Sequence, residues 1–86
     1  MNYHNSSRMK LLYIMKYFVE FTDEKHPVNA HDVIDYLAQL GIPLERKAVY
    51  HTVDVLNEFG VHIRYRWHKF YYVPNESDIF HVFANS

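Results

Sequence analysis

Cysteine is absent from the 86 residues. That excludes disulfides, thiolate metal ligands and a cysteine nucleophile, and a small reduced domain of this kind points to the cytoplasm. Glycine is nearly absent as well. Gly41 and Gly60 are too few for a glycine-rich loop that would cradle a phosphate with its backbone amides. No apolar run reaches the length of about 18 residues that a membrane span needs. The opening MNYHNSSRMK lacks the apolar stretch of a signal peptide. There is no internal repeat, no low-complexity segment and no room for a second core. The chain is rich in hydrophobic (49%) and aromatic (17%) residues, which excludes a disordered chain. A domain this small buries only about 60% of its unfolded surface, so it needs an efficient core or a partner.

The formal charge is -1 with histidine neutral, but it is unevenly spread. Residues 46–73 hold five basic residues (Arg46, Lys47, Arg64, Arg66 and Lys69) against Asp54 and Glu58, a net of +3. The remainder holds four basic and eight acidic residues, a net of -4. His51, His62 and His68 add to the basic third whenever they are protonated. Local charge, not the sum, decides where a polyanion docks.

Periodicity gives the order of elements. Residues 1–7 are polar and read as a disordered terminus. From Arg8 to Phe21 the spacing is helical, with Leu11, Ile14, Met15 and Phe18 on one side and Lys10, Tyr13, Lys16, Tyr17 and Glu20 on the other. Met9, Leu12, Val19 and Phe21 widen the apolar side beyond what one small core uses. After a polar loop ending at Pro27, Asn29 is a good N-cap, and Asp32 brings a carboxylate to the positive end of a second helix. Val33, Ile34, Leu37 and Leu40 recur along it, Gly41 can take the left-handed conformation that ends it, and Ile42 can fold back on its last turn. A third helix spans Glu45 to Phe59 and stops at Gly60. Its inner stripe is Val49, Val53 and Leu56, flanked by Val55 and Phe59, and Lys47, Tyr50, His51, Asp54 and Glu58 share its outer face. Glu45 is a weak N-cap.

Beyond Gly60 the period becomes two, as in strands, and a hairpin fits with its turn near His68 and Lys69. No Gly, Asn or Asp sits there to declare the turn type. Residues 74–86 read as a linker or short helix bearing Ile79, Phe80 and Phe83. The expected fold is therefore mainly α with a small β-hairpin: a winged helix-turn-helix of three helices and a two-stranded wing over residues 8–73.

That order suits DNA. The major groove, about 12 Å wide, admits one helix that offers its N-terminal residues to base edges. Here that end carries Arg46 and Lys47, then Tyr50 and His51 a turn later, while Asp54 and Glu58 lie where the helix would leave the groove. The hairpin adds Arg64, Arg66, His68 and Lys69 for phosphates or the minor groove. The bland reading of the same charges is a solvated face. The histidines give no metal site: His26 and His31 are five apart across a proline, and His31-Asp32 is an isolated pair without helical ligand spacing. Neither a cofactor nor an enzymatic activity is expected. Tyr13, Tyr17 and Trp67 could stack on bases, though aromatics in a small domain more often serve a core or an interface.

Residues 22–33 (TDEKHPVNAHDV) and 41–60 (GIPLERKAVYHTVDVLNEFG) resemble the N-terminal winged helix-turn-helix of the bacterial WYL-domain transcriptional regulators. The resemblance runs from about Arg8 to Val73. It implies a module that binds operator DNA and is followed in such regulators by an SH3-like sensing domain, so this chain reads as a shortened or short relative. By position, Arg46, Lys47 and Tyr50 match the recognition-helix pattern. Ala48 stands where a small hydroxyl residue is usual, His51 where arginine is usual and Thr52 where aspartate is usual; the hairpin lacks the common glycine pair. The expected function is a DNA-binding module of a bacterial transcriptional regulator. The alternative is a winged helix used for protein contact, and the surplus apolar surface suggests a homodimer through the first helix and residues 77–84.

Overall fold

A computed structural model describes residues 7–74. The expectations for residues 1–6 and for the segment bearing Ile79, Phe80 and Phe83, including its part in a dimer, lie outside the described residues. Three helices are followed by a hairpin: α1 (Ser7–Phe21), α2 (Ala30–Gln39), α3 (Arg46–Phe59), β1 (Ile63–Arg66) and β2 (Lys69–Tyr72). The strands pair antiparallel, from Ile63 opposite Tyr72 to Arg66 opposite Lys69. This is a winged helix-turn-helix arrangement, mainly helical. Among the described residues no helix is long and apolar enough to cross a membrane.

Three of the helix boundaries, both ends of α2 and the end of α3, have a clear local cause. Asn29 and Asp32 form a reciprocal box at the start of α2: the Asp32 amide donates to Asn29 Oδ1 (2.8 Å) and the Asn29 amide to Asp32 Oδ2 (2.9 Å). At its end Gly41 is left-handed (φ 77°), its amide donates to Ala38 O, and the Ile42 amide reaches Leu37 O at 2.9 Å. Ile42, turned back this way, is fully buried. Gly60 (φ 113°) ends α3 by the same device, with the Val61 amide bonded to Leu56 O. No side chain caps the start of α3.

One core joins all three helices to the wing. Ile14 and Phe18 of α1, Val33 and Leu37 of α2, Val49, Val53 and Leu56 of α3, and Ile63, Phe70 and Tyr72 of the strands are its buried members. Val55 and Phe59, expected to flank the inner stripe of α3, are instead exposed, Phe59 at 71%. At 100° per residue Val55 lies about 120° and Phe59 about 80° round the helix from Val49, so neither reaches the core that Val49, Val53 and Leu56 enter. Tyr17, placed by periodicity on the polar side of α1, packs on Tyr36 of α2 with ring centroids 4.6 Å apart. Partial burial, with the Asp32 and Tyr36 charges adding, raises its phenol above the ordinary tyrosine value.

An isolated two-stranded hairpin is marginal in water. Three contacts fasten this one. Phe70 is 1% exposed and meets Phe18 edge-on. Val28, in the α1–α2 loop, exchanges both backbone hydrogen bonds with Phe70 (2.9 and 2.6 Å), so one residue acts as a third strand. The buried Thr22 hydroxyl donates to Phe18 O (2.7 Å) and accepts from the Tyr72 amide (2.9 Å).

The turn falls at Trp67 and His68, one residue earlier than expected. Both have positive φ, 54° and 64°, which with a two-residue loop makes a type I′ turn. That type matches strand twist but favours Asn and Gly; a bulky side chain there is held at a cost of about 1–2 kcal/mol per residue. Trp67 is 81% exposed and recovers little of this by packing. Trp67→Asn is therefore expected to stabilise the fold by about 1 kcal/mol, seen as a higher urea midpoint with an unchanged slope. A lower midpoint would mean that the indole supports the fold.

Candidate nucleic-acid interface

The basic third of the sequence folds into two neighbouring surfaces. On α3, the burial of Val49, Val53 and Leu56 turns Lys47, His51, Asp54 and Glu58 to solvent. On the hairpin, strand alternation sorts the side chains. Ile63, Tyr65, Phe70 and Tyr72 share the face that meets the helices, and Arg64, Arg66, Lys69 and Tyr71 share the other. Arg64, Arg66 and Lys69 are exposed. Among the described residues the ion pairs within reach are His26–Asp23 (2.9 Å) and His31–Asp35 (3.3 Å), so none of the five expected DNA-facing cations is neutralised by a carboxylate. Arg66 and Lys69 lie directly opposite one another on the last rung of the hairpin. Like charges in that position repel.

Tyr50 leaves the outer face that its spacing suggested. It is half-buried and packs edge-on against Tyr65 (ring centroids 5.8 Å) and Phe70 (5.3 Å). Arg46 Nη2 donates to the Tyr50 hydroxyl at 3.3 Å, and its guanidinium lies 5.9 Å from the ring centroid. The bond to Arg46, helped by one to Tyr65, holds the Tyr50 phenol below the ordinary tyrosine value; the same bond to Tyr50, with desolvation adding, holds the Tyr65 phenol above it. Arg46 in turn is pushed up by its bond to Tyr50. Tyr65 Oη then meets His68 Nδ1 at 3.3 Å. A continuous chain of contacts, Arg46–Tyr50 and Tyr65–His68 through hydrogen bonds and Tyr50–Tyr65 through edge-on rings, thus runs from the first residue of α3 to the wing turn, and brings these four residues to one side of the molecule.

Eight residues were expected at the interface. Arg46, Tyr50 and His68 belong to this chain; Arg64, Arg66 and Lys69 line the outer face of the wing; Lys47 is exposed on α3. His51 is exposed too, but sits on the rim of a groove of about 660 Å³ between α1 and α3, whose walls include Leu11, Ile14, Leu44 and Val55. Sequence reasoning missed Tyr65 and Asn57. The Asn57 side chain pairs with the backbone of Ile63 in both directions, donating to its carbonyl (2.9 Å) and accepting from its amide (2.8 Å). It acts as a partner strand for β1 and locks the wing to the last turn of α3. Its one legible sign is an asparagine in a helix, where that residue is an indifferent helix former.

The expected non-metal reading of the histidines meets two short local pairs. Asp23 Oδ1 accepts from the Lys25 and His26 amides and from the His26 ring, which lowers the Asp23 carboxyl below the usual aspartate value. Among the described residues no group of three or more His, Cys, Asp or Glu could hold a metal ion.

No protein-family model, curated protein or solved structure matches the chain.

Asn57→Ala is expected to leave two wing backbone groups unpartnered at a cost of about 1–3 kcal/mol, which outweighs the better helix propensity of alanine, about 0.5 kcal/mol. Amide exchange at Ile63 should accelerate more than exchange in α2. Equal acceleration in both would show a general loss of stability in place of a detached wing.

Proposed function

We propose that the protein is a DNA-binding module of a bacterial transcriptional regulator of the WYL kind, working in the cytoplasm. The recognition helix α3 enters the major groove and reads bases with Arg46, Lys47 and His51, while Tyr50, turned under the wing, holds Arg46. The wing lies on the backbone with Arg64, Arg66, His68 and Lys69. The observation that carries this reading is the Arg46–Tyr50–Tyr65–His68 chain, which fixes the cationic start of α3 beside the cationic wing. A solvated charged face needs no such registration. Two further features agree. The Arg66–Lys69 rung keeps like charges together where a polyanion would relieve them. The uncapped start of α3 leaves its amides to an external acceptor.

Binding is expected to depend on salt. Each neutralised phosphate contributes about -0.9 to the slope of log affinity against log salt, so a slope of about -2 to -4 follows from the cations available. Arg64→Ala should make the slope shallower by about one and weaken all duplexes alike. Mobility shift or fluorescence anisotropy over a salt series measures both; affinity indifferent to salt would sink the DNA reading. His51→Arg should tighten binding and sharpen sequence choice by about 1–3 kcal/mol per contacted base, because arginine can give guanine two donors. If neither affinity nor preference changes, α3 does not enter the groove in this pose.

A second reading has one observation in its favour. The α1–α3 groove has apolar walls, and Phe59 stands exposed on the side of α3 that carries Thr52 and Val55. A winged helix that holds another protein, or a second copy of itself, would use that face. Sedimentation across a concentration series, run beside the DNA titration, tells self-association from DNA binding.

A further inference from the structure

The tip of the wing concentrates three unfavourable features. Trp67 and His68 both hold left-handed backbone, unusual for any side chain and most of all for an indole. Trp67 is the most exposed large hydrophobic residue described, at 81%. The rung beneath it sets Arg66 against Lys69. None of the three serves the core, which closes below them at Phe70. Backbone strain that persists without a packing reason marks places where a partner completes the site.

We propose that Trp67 is an insertion residue: the indole enters the minor groove of duplex DNA, against a base step or the sugar edge, while Arg66 and Lys69 take the phosphates of the two flanking strands. The inference rests on the DNA-binding reading and deepens it: that reading lays the wing on the backbone, and the base stacking open to Trp67 is here given its place in the minor groove. The chemistry selects this occupant. An aromatic side chain flanked by two like charges, with a third, Arg64, on the same face, calls for an anionic partner. An apolar wedge between two cations fits a groove with apolar sugar walls and a phosphate along each lip. The geometry also suits it. His68 bonds to Tyr65, which is joined through Tyr50 to the first turn of α3, so a helix seated in the major groove carries the tip toward the adjacent minor groove. The type I′ turn is a narrow two-residue tip, and the indole stands clear of the wing at its end.

Trp67 is the only tryptophan in the chain, so it reports on itself. The full chain is titrated with a labelled random-sequence duplex, following anisotropy for binding and tryptophan emission for the tip. The expected result is quenched emission and a fall of about threefold or more in acrylamide access at saturation, with a minor-groove-filling small molecule competing. Trp67→Asn should lose about tenfold in affinity, the effect of one aromatic–base contact. Its salt slope should be unchanged, because no charge is removed, and its fold no less stable. If anisotropy shows the duplex bound while acrylamide reaches Trp67 as freely as before, the insertion is wrong and the DNA reading stands. If no duplex binds at any salt concentration, both fail. The quenching experiment uses the unaltered chain, so its outcome does not depend on how any variant folds.

Discussion

Phe70 is the point on which the arrangement depends. Burying a phenylalanine contributes about 2–3 kcal/mol, against about 1 kcal/mol for a typical hydrogen bond. Its ring fills the space between Phe18 of α1, Tyr50 of α3 and Tyr65 of the facing strand. Its backbone pairs with Val28 on the edge of β2 away from β1. One residue therefore joins the first helix, the third helix, the α1–α2 loop and both strands. Without it the hairpin would be a marginal ribbon, and the cations at its end would have no defined position relative to α3. The Thr22 hydroxyl repeats the fastening two residues further on. It bridges positions 50 apart in sequence and leaves the Tyr72 amide satisfied where water cannot reach it.

The same anchoring sets where the cations of a protein of net charge -1 stand. The surface cations are few, but they are placed on two elements whose separation is set by packed rings, not by flexible loops. Tyr50 and Tyr65 do two jobs in this. Their rings continue the Phe70 cluster outward, and their hydroxyls hold Arg46 at one end and His68 at the other. Arg46 is thereby held in one orientation before any ligand arrives, which reduces the side-chain entropy lost on binding. Lysine at position 46 would keep the charge but not the planar contact with the Tyr50 ring.

Much of the fold was legible because its signals are local. The Asn29–Asp32 cap, the left-handed stops at Gly41 and Gly60 and the Val49–Val53–Leu56 stripe each lie within a few residues of chain, and each predicts the element that forms. What was not legible depends on distant residues. The roles of Thr22, Val28 and Asn57 exist only once β1 and β2 have been brought to them, and no periodicity marks them. Tyr50 was read as outward because helical spacing assigns faces without knowing which neighbour covers each face. Here the wing covers it. The cationic positions of the candidate site were legible as a charge imbalance, but their registration through Tyr65 was not, since an alternating strand says which side a residue faces and not what it meets there.

The misplaced turn is a different kind of discrepancy. Asn-Gly, Asp-Gly and related pairs announce a two-residue hairpin turn because they tolerate positive φ. Trp67-His68 announces nothing, and yet the register of the strands forces the turn there: with Ile63 opposite Tyr72, the rungs close inward to Arg66–Lys69 and leave two residues to reverse the chain. That register is itself imposed from below, by the burial of Ile63, Phe70 and Tyr72; a slip of one residue would send every one of them to solvent. Local preference loses to the core at this tip, and tertiary packing can easily sustain about 1–2 kcal/mol of strain. What packing does not explain is the choice of residue. The core requires a turn at positions 67 and 68 but is indifferent to what side chain stands there. Asparagine and glycine would satisfy it better. A conflict between local and global preference that the fold does not need points to a requirement from outside the fold, and the side chain that stands at this tip is an exposed indole between two cations.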